Sequence, residues 1–355
     1  MEYLNPGRAP YTAQDRALIG TEHARQARAH FAGHPAYRPT PVHTIPGLAG
    51  TQAVYVKDES GRMGLGSFKA LGGAYAVHRL GGGTPFVCAS AGNHGISVAS
   101  GAREVGTACV VYLSHGVPEA FARRLRALGA EVRRSGDDYE ASMAAAQQAA
   151  QEHGWRLVAD SSWDGYTDVP LDVMRGYTVL FDELTDPGTG ADAGAHAGNG
   201  PGAVLEPPTH VFAQAGVGGL AAAAAGYVRD RWGEQPKIVI VEPEGSPCLI
   251  ESARAGRPVR VQAGRTTLGR LDCPEPSLIA HRLLAHLADL YMTITDDQAA
   301  AAAHRLAGHG VALSECGAAG AAGLLALSPA TRAAIGLGSD SRVLLVGTER
   351  PVEPK

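Results

Sequence analysis

The chain has 355 residues, of which 45% are hydrophobic and 19% charged, and its formal net charge is −4. This size and composition predict one large domain or two ordinary ones with a substantial apolar core. Basic and acidic residues are interspersed and form no basic stripe, which argues against a nucleic-acid-binding protein. No apolar run is long enough to cross a membrane, and the first residues lack the basic-then-apolar pattern of a signal peptide.

The five cysteines are scattered along the chain and form no CxxC pair: Cys88, Cys109, Cys248, Cys273 and Cys316. The fourteen histidines show no metal-ligand spacing with them, so no metal site is predicted. Scattered cysteines in odd number are typical of reduced thiols in a cytosolic protein, and we therefore predict a cytoplasmic location.

The first half of the chain alternates short apolar strands with longer helical patterns. A strand, AVYVKDE (53–59), is followed by a helix in SFKALGGAYAVHRL (67–80). Further strands are predicted in PFVCAS, ACVVYLS, AEVRRSG and WRLVADSS, with helices between them in HGISVASGAREVG, PEAFARRLRALG and YEASMAAAQQAAQEHG. Such alternation is typical of a parallel sheet covered by helices.

The second half resumes the alternation after an interruption. Segment 186–208, DPGTGADAGAHAGNGPGAVLEPP, is poor in large apolar groups and predicts a surface loop without chemistry. Beyond it, strands are predicted in THVFAQ, PKIVIVEP and RVLLVGTE, with helices in LAAAAAGYVRDRWG and near 296–309. The last residues, ERPVEPK, predict a frayed tail. The two groups of strands predict an α/β protein with two parallel-sheet domains.

Lys69 stands between a glycine-rich turn and a small, apolar run in GSFKALGGAYAV (66–77). A lysine near a helix start is usually a surface residue. Here the flanking residues leave little polar surface, so we expect Lys69 to be withdrawn from water, with its pKa lowered by burial. An amine of lowered proton affinity is a nucleophile, which a Schiff base with an aldehyde cofactor requires.

A second motif, ASAGNHGI (89–96), lies where a predicted strand meets a helix. The backbone N–H groups that follow Gly92 face the helix N-terminus, where the helix dipole favours an anion. Ser90, Asn93 and His94 add side-chain donors, so this loop suits a carboxylate. An ordinary N-capping turn is the alternative interpretation.

A third motif, AQAGVGGLAAAAAGY (213–227), places Gly216, Gly218 and Gly219 between a strand and a helix. Backbone amides in such a loop can surround a phosphate at the positive end of the helix. A purely structural glycine turn is one alternative. A dinucleotide site of an NAD-dependent oxidoreductase is another, but GVGGL lacks the GxGxxG spacing.

Together, a withdrawn lysine, a carboxylate loop and a phosphate loop describe an enzyme that holds pyridoxal phosphate and an amino acid. At SFKALGGAY, SAGNHG and AGVGGLAAA the chain resembles the fold-type II pyridoxal-phosphate enzymes, the tryptophan synthase β-like family. VADSSWDGYTDVPLDVMRGYTVLFDEL, IVEPEGSPCLIESARAG and LSECGAAG are most similar to its diaminopropionate ammonia-lyase branch. The resemblance extends over residues 37–348.

The resemblance implies a domain organisation and an assembly. The cofactor would lie in the cleft between a large cofactor-binding domain, residues 1–70 and 183–355, and a small substrate-side domain, residues 71–182. Family members are commonly dimers, so a homodimer is expected by resemblance.

The resemblance also implies a role for each motif residue. Lys69 would form the Schiff base with the cofactor, Phe68 would pack on its ring and Asn93 would contact its 3′-oxygen. The phosphate would be held by Gly216, Val217, Gly218, Gly219 and Leu220. The substrate carboxylate would be held by Ser90, Ala91, Asn93 and His94. A hydroxyl or thiol usually faces the pyridine nitrogen; Thr348 is our choice and Cys316 the second, with an ordinary sheet threonine as the alternative.

Ala91 departs from the branch, in which an aspartate typically occupies this position and serves as the base for the D-isomer. We therefore expect a preference for L-substrates and leave the leaving group open. Asp160 matches another acidic position of that site and is predicted to be catalytic. Solvated loop acids are the alternative for Asp160 and its neighbour Asp164.

The implied function is a lyase that performs α,β-elimination on a β-substituted, diaminopropionate-like L-amino acid and gives a 2-oxo acid and ammonia. The alternatives are a β-replacement synthase, which adds a nucleophile to the aminoacrylate, and a serine/threonine dehydratase-like enzyme. A non-catalytic amino-acid-binding protein on the same scaffold is disfavoured because Lys69 and the phosphate loop are intact.

Overall fold

A computed structural model describes residues 1–90, 92–185, 205–262 and 264–351. Ala91, most of the predicted loop 186–208 and the end of the predicted tail lie outside the described residues.

The strands are β1 Glu2–Leu4, β2 Val42–Pro46, β3 Ala53–Asp58, β4 Phe86–Ala89, β5 Cys109–Leu113, β6 Glu131–Arg134, β7 Arg156–Leu157, β8 His210–Gln214, β9 Lys237–Pro243, β10 Leu290–Ile294 and β11 Arg342–Gly347. The helices are α1 Ala13–Leu18, α2 Thr21–Phe31, α3 Lys69–Leu80, α4 Asn93–Glu104, α5 Glu119–Ala127, α6 Tyr139–His153, α7 Asp168–Tyr177, α8 Val179–Asp182, α9 Gly219–Trp232, α10 Cys248–Ala255, α11 Leu278–Leu287, α12 Asp296–Ala307, α13 Ala319–Ala326 and α14 Pro329–Ala334.

Local capping explains where the longest helix begins and ends. The Asp138 side chain accepts a hydrogen bond of 2.8 Å from the Ala141 amide at the start of α6. Gly154 ends the helix with a φ of 66°, a left-handed conformation that glycine adopts without a steric cost. The bounds of α6 therefore follow from its sequence.

The larger sheet has the strand order β1-β10-β9-β8-β11-β3-β2. The five inner strands are parallel to their neighbours, whereas β1 and β2 pair antiparallel at the two edges. The sequence analysis did not predict these edge strands. Their sequences, EYL and VHTIP, are short and partly polar, so pairing with a neighbouring strand defines them rather than an apolar pattern.

The smaller sheet is parallel throughout and has the order β6-β5-β4-β7. Its last strand, β7, has only two residues, although WRLVADSS predicted a longer one. One further backbone bond, from Val158 N to Val87 O at 2.9 Å, continues the pairing before the chain leaves the sheet. This early exit carries Asp160 away from the sheet and towards Lys69.

The predicted α/β fold with two parallel sheets is confirmed. The carboxyl end of β4 leads into α4 through the predicted carboxylate loop, and that of β8 leads into α9 through the predicted phosphate loop. Ligands of α/β proteins bind at this edge of the sheet. The exact domain boundaries stay a prediction. Among the described residues, no helix has both the length and the apolar character needed to span a membrane.

A buried group of charges joins β3 to the segment after α8. Glu183 accepts hydrogen bonds of 2.6 Å from Lys57 Nζ and 2.8 Å from both terminal nitrogens of Arg62. Arg62 also binds Glu59 through its Nε and Nη2 atoms, each at 2.7 Å. All four side chains are almost fully buried. Each charge is compensated only while the whole group is intact.

Replacing Arg62 with methionine is expected to destabilise the fold strongly. The substitution leaves Glu59 and Glu183 as buried carboxylates without the guanidinium that compensates them, and breaking such a pair costs about 3–5 kcal/mol. Urea unfolding measures the loss. The matched control is Arg25→Met, because Arg25 and its partner Glu22 keep 65% and 64% of their side chains exposed. There we expect less than about 1 kcal/mol, and equal losses in the two variants would contradict the prediction.

Candidate active site

Lys69 is the first residue of α3 and its amine lies between two aromatic rings and one carboxylate. Nζ is 2.5 Å from Asp160 Oδ2, and it is 5.4 Å and 5.6 Å from the ring centroids of Phe68 and Tyr177. The segment before the helix is fixed by a 3.0 Å bond from Phe68 N to Thr348 O. Lys69 keeps 23% of its side chain exposed, so its amine is mostly but not wholly withdrawn from water.

The pKa of Lys69 is raised above its ordinary value, and the predicted lowering is wrong. Burial alone would lower this pKa, but the Asp160 carboxylate and, less strongly, Tyr177 outweigh it. Burial alone would likewise raise the pKa of Asp160, but Lys69 and His94 hold it below its usual range. The prediction failed because it used only neighbours in sequence, whereas Asp160 is 91 positions away.

The predicted carboxylate loop connects β4 to α4. Ser90 donates its amide to Tyr112 O at 3.2 Å, and Ser90 Oγ accepts from Gly92 N at 3.2 Å. Asn93 is the first residue of α4, so the free amides of its first turn face the loop. Ala91 lies outside the described residues, and its predicted role stays a prediction. The free amides of this first turn are available to an anion, and the predicted carboxylate site stays a prediction.

His94 links this loop to Asp160. Its Nε2 lies 2.9 Å from Val158 O, so this nitrogen carries the proton, and its Nδ1 lies 3.9 Å from Asp160 Oδ2. Burial lowers the pKa of His94, which therefore remains neutral near pH 7. Nδ1 is buried without a hydrogen-bond partner in the described part of the chain. His94 thus offers a neutral, unpaired acceptor beside Lys69 and Asp160.

Asn93 contacts the segment after β11, where its Nδ2 donates to Glu349 Oε2 at 2.6 Å. Glu349 also accepts from Ser314 Oγ at 2.7 Å and pairs with Arg270 Nε. The side chain predicted to contact the cofactor's 3′-oxygen is therefore oriented by a carboxylate just after β11. Its predicted contact stays a prediction.

The predicted phosphate loop, residues 216–220, has no room for a side chain at Gly216 or Gly218. Gly218 adopts a φ of 96°, and a Cβ at this position would lie 2.9 Å from the Ala280 Cβ. A Cβ at Gly216 would lie 2.8 Å from Cys273 Sγ. The first amides of α9, which begins at Gly219, have no acceptor within the helix. The sequence requires glycine here, and the amides are available to an anion.

Tyr177 brings the lysine and the phosphate loop together. Its ring contacts Phe68 at a centroid distance of 4.8 Å and lies beneath Lys69 Nζ. A Cβ at Gly219 would lie 3.7 Å from Tyr177 Cε2, which is ordinary contact distance. The three predicted motifs therefore converge on one site, although they are far apart in sequence.

Thr348 and Cys316, the two candidates for the pyridine nitrogen, both contact Gln214. Gln214 Nε2 lies 3.3 Å from Thr348 Oγ1 and 3.3 Å from Cys316 O, and it donates to Val346 O at 2.9 Å. Gln214 Oε1 is buried without a partner among the described residues. The choice of Thr348 stays a prediction.

The sequence analysis missed Tyr177, Gln214, Arg270 and Glu349. Gln214 and Glu349 were detectable in principle, since each is a polar residue directly beside a motif position at the end of an apolar strand. Tyr177 and Arg270 lie in segments whose local patterns carry no sign of a site. Their positions depend on how α7 and the loop before α11 pack in the folded chain.

The described residues fit a phosphorylated aldehyde cofactor. A lysine amine lies beside a glycine-floored anion loop, and three buried polar atoms near it have no hydrogen-bond partner within 3.5 Å among the described residues: His94 Nδ1, Tyr177 Oη and Gln214 Oε1. Buried polar atoms are rarely left without partners unless a ligand or water supplies them. The fold and the site are those of an enzyme that binds such a cofactor, and the attachment to Lys69 stays a prediction.

Comparison with known proteins identifies the family. A family model described as "pyridoxal-phosphate dependent enzyme" matches residues 34–349. The chain belongs to this family, and its cofactor is pyridoxal phosphate, as the sequence predicted.

Individual relatives agree with this result. The diaminopropionate ammonia-lyase of Escherichia coli K12 is 32% identical over 325 residues, which cover 84% of this chain and 77% of the relative. A serine dehydratase-like protein of Mus musculus is 32% identical over 230 residues, which cover 63% of this chain and 62% of that protein. The crystal structure of the Escherichia coli ammonia-lyase in complex with D-serine matches with a TM-score of 0.84 and 29% identity, over 99% of this chain and 93% of that one.

Proposed function

We propose that this enzyme is a lyase that catalyses α,β-elimination on a β-substituted, diaminopropionate-like L-amino acid and releases a 2-oxo acid and ammonia. The observation that carries the proposal is the Lys69 amine, 2.5 Å from Asp160 and beside the predicted carboxylate loop and the predicted phosphate loop. The similarity to an ammonia-lyase over most of both chains supports the same reaction class.

Pyridoxal phosphate, when bound, supplies an aldehyde that condenses with an amine and a ring that withdraws electrons from the substrate's Cα. Residues of the chain supply the contacts that hold the cofactor and position the substrate. The first amides of α9 with Gly216 to Leu220 would hold the phosphate. Phe68 and Asn93 would contact the ring and the 3′-oxygen, and Thr348 would face the ring nitrogen. Two fixed anion sites orient the Cα–H bond towards Lys69 Nζ, which is positioning of the kind that accelerates reactions.

Lys69 is the base that takes the Cα proton, and Asp160 is the group that controls its charge. Because Asp160 stays ionised, it stabilises the ammonium that Lys69 becomes, and that ammonium can pass its proton to the departing β-substituent. Ser90, Ala91, Asn93 and His94 hold the substrate carboxylate. Neutral His94 adds an acceptor without adding a charge.

A screen of β-substituted amino acids in both enantiomers tests the reaction. Each candidate is mixed with the enzyme, and the 2-oxo acid and ammonia are quantified. We expect pyruvate with two ammonia from L-2,3-diaminopropionate, pyruvate with one from L-serine, and slower turnover of the D-forms because Ala91 has no ionisable group. If no candidate yields a 2-oxo acid, the proposed function is wrong. If an added thiol is incorporated while pyruvate production stops, the enzyme is instead a β-replacement synthase.

The phosphate loop gives a further prediction. Gly218→Ala forces an alanine to a φ of 96° and brings its Cβ to 2.9 Å from Ala280. The loop must shift to relieve the strain and the contact with Ala280, which displaces the amides that would hold the phosphate. We therefore expect the affinity for pyridoxal phosphate, measured by titration of the cofactor-free protein, to fall about tenfold or more.

Gly233→Ala is the matched control for this substitution. Gly233 ends the same helix with a φ of 72° and has open space where a Cβ would be placed. The substitution Gly233→Ala imposes comparable backbone strain far from the phosphate loop. Because the loop itself is unchanged, cofactor affinity should stay within about twofold of the original. An unchanged affinity in Gly218→Ala would show that this loop does not hold the phosphate.

The homodimer and the cytoplasmic location are part of the proposal. Four of the five cysteines are buried and all are free thiols, which supports a reducing compartment. The dimer is supported by the resemblance to the family.

A further inference from the structure

Arg270 lies between the loop predicted for the cofactor's phosphate and the loop predicted for the substrate's carboxylate. Its Cδ is 3.9 Å from the position of a Cβ on Gly92, the residue that precedes α4. The Cα of the next residue, Leu271, is 3.3 Å from the position of a Cβ on Gly216 in the predicted phosphate loop. The segment between α10 and α11 therefore brings the Arg270 side chain to the start of α4.

Glu349 fixes the orientation of the Arg270 guanidinium. Arg270 Nε pairs with Glu349 Oε1, which also accepts from Ser314 Oγ at 2.7 Å. The other oxygen, Oε2, accepts from Asn93 Nδ2 at 2.6 Å, and only 6% of the Glu349 side chain is exposed. Because this carboxylate is held by groups from three different segments, the guanidinium that it binds has one preferred orientation.

The far end of the guanidinium faces a cleft beside the carboxylate loop. Nη1 and Nη2 of Arg270 have no hydrogen-bond partner among the described residues, and 29% of the side chain is exposed. Arg270 and Asn93 line the same cleft, which has a volume of ≈ 120 Å³. The two N–H groups at the end of a guanidinium match the two oxygens of a carboxylate.

The charge of the Arg270–Glu349 pair agrees with a diaminopropionate-like substrate. Because Glu349 compensates the guanidinium, Arg270 offers hydrogen-bond donors without an excess of positive charge. The free amides of the first turn of α4 supply the positive end of a helix dipole to the same carboxylate. A cationic β-amine is not repelled, since the pair carries no net charge.

We propose that Arg270 binds the α-carboxylate of the substrate through Nη1 and Nη2, together with the first amides of α4, and that Glu349 is its positioning residue. The inference rests on the proposed function and adds a residue to its carboxylate site. A carboxylate held by two elements that are far apart in sequence keeps Cα in one place whichever β-substituent the substrate carries.

Binding of an unreactive amino acid tests the inference in the holoenzyme. L-alanine has no β-leaving group, and L-alaninamide differs from it by a neutral carboxamide in place of the carboxylate. Calorimetric titration gives the Kd of each ligand with the original protein and with Arg270→Gln. In the variant we expect the Kd of L-alanine to rise about tenfold to a hundredfold and that of L-alaninamide about threefold or less, because only the carboxylate makes a charge-assisted hydrogen bond.

Three results would overturn the inference. These are equal affinities of the original protein for the two ligands, an unchanged Kd of L-alanine in Arg270→Gln, and equal losses for both ligands. Equal losses would mean that Arg270 shapes the site without contacting the carboxylate. Both ligands are titrated into the same preparation, so an unfolded fraction changes the stoichiometry and leaves the ratio of the two Kd values intact.

Arg270→Lys is a milder variant at the same position. Lysine retains the positive charge and lacks the planar fork, so we expect a Kd for L-alanine between those of the original protein and Arg270→Gln. Binding of L-alanine by Arg270→Lys as weak as that by Arg270→Gln would show that the fork supplies the whole interaction. Binding as tight as that of the original protein would contradict the fork geometry proposed here.

Arg265→Gln is the matched control. Arg265 is exposed, lies five positions earlier in the same segment and does not line this cleft. The substitution removes the same charge and should leave both Kd values within about twofold of the original. A loss of L-alanine binding equal to that in Arg270→Gln would reduce the effect to overall charge and contradict a specific site.

Turnover separates a contact with the carboxylate from a contact with the β-substituent. L-2,3-diaminopropionate and L-serine share the α-carboxylate and differ in the β-group. Arg270→Gln should therefore lower kcat/KM for both by the same factor, within about threefold. Losses that differ by more than this would place Arg270 beside the β-substituent and contradict the inference.

The binding measurement also keeps this inference separate from the proposed function. L-alanine cannot undergo elimination, so a selective loss of its binding in Arg270→Gln supports the carboxylate site even if no candidate yields a 2-oxo acid. Formation of a 2-oxo acid together with an unselective loss, or no loss, of L-alanine binding overturns this inference and leaves the proposed function standing.

Discussion

Lys69→Ala is expected to abolish the long-wavelength absorbance that a lysine-bound pyridoxal phosphate gives, and to lower turnover by at least about 10²–10⁴-fold, the usual contribution of a general base. The physical reason is that Lys69 Nζ is the amine that lies among Asp160, Phe68 and Tyr177 at the meeting point of the two anion loops. Absorbance spectra of the purified proteins and release of 2-oxo acid measure the two effects.

Lys237→Ala is the matched control for Lys69→Ala. Lys237 keeps 42% of its side chain exposed and pairs with Asp289 at the start of β9, so its loss should leave both the spectrum and turnover unchanged. Reductive trapping with borohydride followed by peptide mass spectrometry gives a direct readout, since the cofactor should be attached to the peptide that contains residue 69. Attachment to another lysine, or full activity in Lys69→Ala, would refute the assigned role.

Asp160→Asn is expected to retain the cofactor and its absorbance while turnover falls about 10²–10⁴-fold. Asparagine has nearly the same shape but cannot carry the charge that raises the pKa of Lys69 and that stabilises the protonated amine which donates to the leaving group. Because that attraction is lost, the pKa of the free Lys69 amine should fall in the variant. Titration of the cofactor-free protein with an amine-selective reagent at several pH values would detect the change as faster labelling of residue 69 at lower pH.

Asp164→Asn is the control for this substitution because Asp164 lies four positions further along the same loop and is exposed. It should retain full turnover and the original labelling profile. If the two variants behaved alike, Asp160 would act only through the general charge of the loop, and its place in the catalytic machinery would be lost.

The three motifs were recognisable because the residues that define each of them are consecutive in the sequence. A glycine-rich turn before Lys69, the donors of the loop after β4 and the glycines before α9 each occupy a short stretch at the end of a strand. Strand–helix alternation likewise has a local cause, the period of the apolar residues. Family, fold class and cofactor followed from these stretches and are confirmed.

The charge state of the site could not be predicted in the same way. The apolar neighbours of Lys69 suggested a lowered pKa, whereas Asp160, brought in by the early exit of the chain from β7, raises it. Asn93 meets Glu349 across 256 positions of sequence. No local pattern specifies which distant carboxylate or guanidinium will lie beside a given group.

The sequence by itself determined the strand–helix alternation, the loops at the strand ends and the identity of the cofactor, because backbone conformation and helix polarity are set by neighbouring residues. Tertiary structure alone decided that Lys69 pairs with Asp160 and that Tyr177 lies beneath the amine. The reason is that electrostatic interactions depend on distance in space. Folding brings together charges that lie far apart along the chain, and their separation in sequence does not affect the strength of the interaction.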